Sequence, residues 1–136
     1  MTTRCYGFDP VDRAIYAPSV GDAADLGLST RVFDTTTGMP ATDMLVECHR
    51  LEPSGWTLLA AARTDAKGRV ESLLSGATLT TGDYRMHYMT GAWYARRRVD
   101  RFFTSVKLDI RISDAAHHHH VSLLLSPFAY SAHRDS

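Results

Sequence analysis

The sequence predicts an all-β domain, an antiparallel sandwich or barrel. Three observations carry that reading. Apolar and polar residues alternate with period two in run after run, as in strands with one buried face. Turn chemistry separates these runs at short intervals. Helical periodicity is scarce across the 136 residues.

Residues 1–27 carry two prolines, three glycines and no clear alternation, so an irregular N-terminal arm is expected, partly ordered against the domain. The domain itself is expected over 28–136. In its first strand Leu28 and Val32 go to the core, while Arg31 and Phe33 go the other way. After the turn at Thr37-Gly38-Met39-Pro40, Met44, Val46 and Cys48 alternate with Glu47 and His49. Pro53-Ser54-Gly55 leads into a run opened by Trp56, Leu58 and Ala60. Asp65-Ala66-Lys67-Gly68 is the next turn, and Thr81-Gly82-Asp83 precedes Tyr84, Met86 and Tyr88.

The exception is Gly91–Val99, which reads as a short helix. Its Arg96-Arg97-Arg98 run reads as a solvated face with acids nearby, not as a basic binding patch. Alternation then resumes. Val106, Leu108, Ile110 and Ile112 form one strand. Val121, Leu123 and Leu125 share a core face, as do Phe128 and Tyr130. The opposite face presents His118, His120, Ser122 and Leu124, then Ser131, His133 and Asp135.

Composition narrows the function. A 15.1 kDa chain of this kind suits one domain that buries roughly two-thirds of its unfolded surface. Fifteen basic residues balance fifteen acidic ones, which argues against a general nucleic-acid or anionic-membrane partner. No apolar run approaches the ~18 residues of a membrane-spanning helix. The N-terminus lacks the charged-then-apolar order of a secretory signal, and Cys5 and Cys48 cannot make a disulfide framework. A reducing, cytoplasmic location is the default expectation. Cys48, inside an alternating run, reads as a small core residue.

The four consecutive histidines raise the question of a metal. His118 and His120 share a face, but that face offers two imidazoles and no nearby thiolate, so no metal is expected. His117 and His119 read as surface residues.

Three stretches together resemble the transthyretin superfamily, most closely its 5-hydroxyisourate hydrolases. They are Leu28-Ser29-Thr30-Arg31-Val32-Phe33-Asp34 with Thr37–Ala41; Thr64–Arg69 with Gly82-Asp83-Tyr84-Arg85; and His117 through Phe128 to the C-terminus. The resemblance implies a transthyretin-like two-sheet sandwich of about eight strands with one short helix. It also implies a homotetramer, a dimer of dimers, with sites in a channel between dimers. The implied reaction opens the ring of 5-hydroxyisourate, a product of urate oxidation, by water attack on an amide carbonyl. Neither metal nor organic cofactor is implied.

Position by position, the family's arginine matches Arg69 and its C-terminal-strand histidine matches His120. Its first-strand histidine, after Leu-Ser-Thr, is Arg31 here. Its terminal Tyr-Arg-Gly-Ser matches His133-Arg134-Asp135-Ser136. Two family prolines are Ser122 and Thr104. Arg31, Arg69, Ser122, Ser131, Arg134, Asp135, Ser136 and His118 are therefore the expected substrate contacts, and His120, Arg69, His133 and Arg31 the expected catalytic groups.

Opening a cyclic amide needs a base for water, a cation for the developing oxyanion and a proton for the leaving nitrogen. Histidine suits the first and last tasks. Arginine serves as neither acid nor base near neutral pH. The exchange at Arg31 therefore removes a titratable group and installs a fixed cation. His133 is the candidate replacement, paired with His120 and with Asp135 orienting one imidazole. Arg31 and Arg69 would clamp a planar, anionic or carbonyl-rich ligand. Two alternatives stand beside this one: an enzyme repurposed for another small cyclic substrate by hydrolysis, cyclisation or isomerisation, and a non-catalytic ligand carrier like transthyretin.

Overall fold

The computed structural model describes residues 27–135. The chain order is β1 Leu28–Asp34, β2 Met39–Pro40, β3 Leu45–Glu52, β4 Gly55–Arg63, β5 Arg69–Val70, β6 Gly82–Tyr88, α1 Thr90–Arg96, β7 Val106–Ile112, β8 His119–Leu125 and β9 Tyr130–Asp135. One sheet runs β2-β1-β8-β9, with the two-residue β5 also paired to β1; the other runs β4-β3-β6-β7. The two sheets form the sandwich that the alternation implies. The expected arm falls, apart from Gly27, outside the described residues, as do Cys5 and Ser136. Among the described residues no helix is long and apolar enough to cross a membrane.

The core is made by the alternate residues of each strand. Leu28 and Val32 of β1 meet Val46 and Cys48 of β3, Tyr84, Met86 and Tyr88 of β6, and Val121, Leu123 and Leu125 of β8, all buried. Fully burying an aliphatic or aromatic side chain stabilises by about 1.5–3 kcal/mol. A polar link crosses this core. The Thr30 hydroxyl donates to the Val121 carbonyl at 2.8 Å and receives the Tyr88 phenol hydrogen at 2.7 Å. Burial pushes the Cys48 thiol up to about 12. It is thus an un-ionised core residue, as its run implies.

Four expectations need correction. The sandwich is not wholly antiparallel, because β1 and β8 pair in parallel; a period of two is the same for both directions. The β4 run does not alternate cleanly through Trp56, Leu58 and Ala60. Cys48 pairs with Ala60 but His49 pairs with Leu58, so Leu59 is the extra residue of a bulge. The bulge turns Leu58 outward, where it is 55% exposed, while Ala60 stays buried. Phe128 and Tyr130 do not join the core: they are 62% and 40% exposed, Phe128 in the bend before β9 and Tyr130 on β9, an edge strand whose every residue is exposed. The arginine run is an exposed face, as expected, but Arg96 and Arg97 meet carbonyls and not acids. Arg96 donates to Asp43 O at 2.8 Å, and Arg97 stacks 3.8 Å over Trp93 while donating to Thr42 O.

Candidate active site

The outward face of the first sheet collects most of the residues singled out above. Register dictates how. Cross-strand partners project to the same side, so Arg69, Arg31, Ser122 and His133 form one row across β5, β1, β8 and β9. Ser29, His120 and Asp135 form the adjacent row, and Phe33, Leu124 and Ser131 the row on the other side. Two arginines, two histidines and a carboxylate thus converge on one polar surface.

Local structure explains Arg69. In the preceding turn Asp65 Oδ1 accepts the backbone N–H groups of Lys67 at 2.8 Å and Arg69 at 2.9 Å. Gly68 has φ +74, and an added Cβ would lie 2.4 Å from Val32 O, so only glycine fits. Its own carbonyl accepts Val32 N–H at 2.8 Å. Arg69 therefore belongs to a short strand bonded to β1.

Hydrogen bonds tie the rows together. Ser29 Oγ lies 2.7 Å from His120 Nδ1 and 2.8 Å from His118 Nε2. Ser122 Oγ donates to Asp135 Oδ2. His133 Nε2 lies 3.3 Å from Ser131 Oγ. Asp135 Oδ2 stands 3.9 Å from His120 Nε2, an ion-pair distance beyond hydrogen-bond reach. Asp135 therefore does not orient His120 by a hydrogen bond; Ser29 does.

Burial lowers the pKa of His120, and the cations Arg31 and Arg69 lower it further, against the opposing pull of Asp135 and Glu71. Its imidazole is thus held neutral near pH 7, the form a general base needs. Arg69 Nε, shielded from solvent, has no hydrogen-bond partner among the described residues; its nearest anion is Glu71 Oε2 at 3.9 Å.

The structure brings Arg31, Arg69, His118, His120, Ser122, His133 and Asp135 to one side of the sheet, with Ser131 on the flanking row. It does not bring Arg134 there. Arg134 pairs with Val121 and so projects between the sheets. There it lines a cleft of about 310 Å³ with Ala132, Val121 and Leu108, Ile110 and Ile112 of β7, a cleft that His133 also borders. The tail resemblance suggested Arg134, but the alternation of β9 places it on the other face. His119 also borders this cleft, while its ring lies 2.7 Å from Asp114 O. Sequence reasoning missed Ser29. Its parity with Arg31 was visible, but its contact with His120 depends on the β1·β8 register. Among the described residues no three His, Cys, Asp or Glu side chains are placed to share a metal ion.

The HIUase/Transthyretin family model matches residues 28–135. A 5-hydroxyisourate hydrolase of Salmonella typhi is 35% identical over 123 residues, 90% of this chain and 90% of its own. The solved 5-hydroxyisourate hydrolase of Klebsiella pneumoniae superposes with a TM-score of 0.71 at 36% identity, over 80% of this chain and 97% of its own. Transthyretin from Sparus aurata superposes with a TM-score of 0.75 at 26% identity, covering 81% and 97%. With family model, sequence identity and superposition in agreement, the chain belongs to the HIUase/transthyretin family.

Proposed function

We propose that the protein is a hydrolase of the 5-hydroxyisourate hydrolase type, opening a cyclic amide by water attack on the outward face of the β1·β8·β9 sheet. What supports this reading is the placement of the His120 imidazole in the row next to Arg31 and Arg69 on one face of the sheet, where burial lowers its pKa. His120 takes a proton from water as the water oxygen attacks the ring carbonyl. Arg69 and Arg31 stabilise the oxyanion. The ring C–N bond then breaks, and the nitrogen leaves with a proton from an imidazolium. His133, one row from His120, is the second imidazole available to supply it. Ser122, Ser131, His118 and Asp135 border the ligand. The expected contact from Ser136 lies outside the described residues.

We further propose that the working form is a homotetramer in the cytoplasm. Strand β9 ends its sheet with an unpaired edge among the described residues, a surface that proteins usually cover. Phe102, Phe128 and Tyr130 are exposed nearby, and Phe103 stacks on Tyr130 with ring centres 5.2 Å apart. Two such faces brought together would enclose the polar rows and exclude water. Light scattering should give four times the 15.1 kDa of one chain; a monomer would contradict the channel.

Arg31 favours a second reading, a diverged member acting on another small planar anion, because it removes one titratable group from the family's site. The test is to mix protein tagged only at its N-terminus with urate and urate oxidase and follow the ultraviolet decay of 5-hydroxyisourate. Accelerated decay supports the first reading. Unaccelerated decay rejects it, and thermal shifts with small aromatic acids then separate a binder from an inert protein.

A further inference from the structure

We propose that Ser29 and His118 are positioning residues that fix the tautomer of His120, leaving Nε2 bare toward the polar face. The inference rests on the reading of His120 as the general base.

The geometry limits the choices. Ser29 Oγ is within hydrogen-bond distance of two ring nitrogens, His120 Nδ1 at 2.7 Å and His118 Nε2 at 2.8 Å. A hydroxyl carries one hydrogen. With both rings neutral, it either donates to one ring and accepts from the other or accepts from both, and whenever it accepts from His120 the Nε2 of that ring is bare. If it donated to His120, the His120 proton would sit on Nε2 and the base would be blocked. If it donates to His118 Nε2, it accepts from His120 Nδ1–H, and His120 Nε2 is free to take a proton from water. Ser29 is buried, and a buried hydroxyl holds its partners more firmly than a solvated one.

The surroundings favour the second arrangement. Among the described residues Nε2 has no hydrogen-bonded acceptor to hold a proton there: Asp135 Oδ2 stands at 3.9 Å and already accepts from Ser122. The charged and titratable groups around the ring are Arg31 from β1, Arg69 and Glu71 from the β5 end, and Asp135 from β9, with His133 one row on. The same hydroxyl couples the two imidazoles. When His120 becomes imidazolium, its Nδ1–H still has Ser29 as acceptor, so the ring keeps its orientation through the catalytic cycle. In a chain whose first-strand histidine is Arg31, the second ring that governs His120 thus comes from within the histidine run, through Ser29.

Imidazole nitrogen NMR on the labelled full-length protein tests this directly, with His120 assigned from an H120N variant. In the wild type near pH 7 His120 is expected as the Nδ1–H tautomer. S29A and H118F should shift it toward Nε2–H, whereas S29T, which keeps the hydroxyl, should preserve it. In 5-hydroxyisourate kinetics S29A should lower kcat about a hundredfold, the scale of one lost acid–base function. KM should stay within about twofold, and S29T should recover most of the rate. A wild-type His120 carrying its proton on Nε2, or an S29A tautomer identical to wild type, overturns the inference. The tautomer result together with no turnover of 5-hydroxyisourate would support the positioning role and reject the substrate.

Discussion

Arg31 of β1 and Arg69 of β5 are direct cross-strand partners. Like charges placed opposite one another on a sheet cost about 0.2–1 kcal/mol, and Glu71, 3.9 Å from Arg69, offsets only part of that. Such a pair is suited to an anionic or carbonyl-rich ligand. R31Q should therefore stabilise the free protein by about 0.2–1 kcal/mol in urea denaturation. The Tm increase caused by a planar anion such as urate should shrink in the same variant. A destabilised R31Q protein that keeps its full ligand response would contradict this role.

The pH profile follows from His120. Its pKa is lowered, by burial first and then by Arg31 and Arg69. The neutral His120 ring is the active form, so the acid limb of kcat/KM should lie below pH 6.5, the ordinary histidine value. R31Q removes a lowering charge and should move the acid limb up. D135N removes a raising charge and should move it down. Stopped-flow profiles of the three proteins check the order; any other order rejects the electrostatic account.

His133 occupies the row of Arg31 and Ser122. If it delivers the proton to the leaving nitrogen, H133F should lower kcat by about 10²–10⁴-fold with the fold unchanged by circular dichroism. A wild-type rate in H133F would make this ring a spectator on an edge strand.

Much of this arrangement was legible in the chain. Strands β3, β6, β7 and β8 were visible because each buries one face, so Val46, Tyr84, Val106 and Val121 mark their own direction. The non-core placement of Arg31, His120, Ser122, His133 and Asp135 followed from the same parity. What alternation cannot carry is the partner. The parallel β1·β8 pairing, the bulge at Leu59 and the contact of Ser29 with His120 all depend on register between segments far apart in sequence. Arg134 illustrates the converse: tail similarity drew it into the site, while the parity of β9 sends it to the other face.

Two structural positions connect stability to the site. Thr30 and Tyr88 share a buried hydrogen bond at 2.7 Å. T30V deprives the phenol of its close acceptor and should cost about 1–3 kcal/mol in urea denaturation; Y88F, which removes the orphaned group, should cost less. Gly68 precedes Arg69 with φ +74 and no room for a Cβ. G68A should destabilise by about 1–3 kcal/mol and also lower kcat/KM, because it displaces the strand that carries Arg69. Loss of stability with unchanged kinetics would separate the turn from the site.

The decay of 5-hydroxyisourate, followed by ultraviolet absorbance with wild type and H120N side by side, tests the central claim most directly. The wild-type protein should accelerate the decay, and H120N should reduce that acceleration by about 10²-fold or more. Equal rates for the two proteins, or no acceleration by either, would contradict the assignment of ring-opening chemistry to this face.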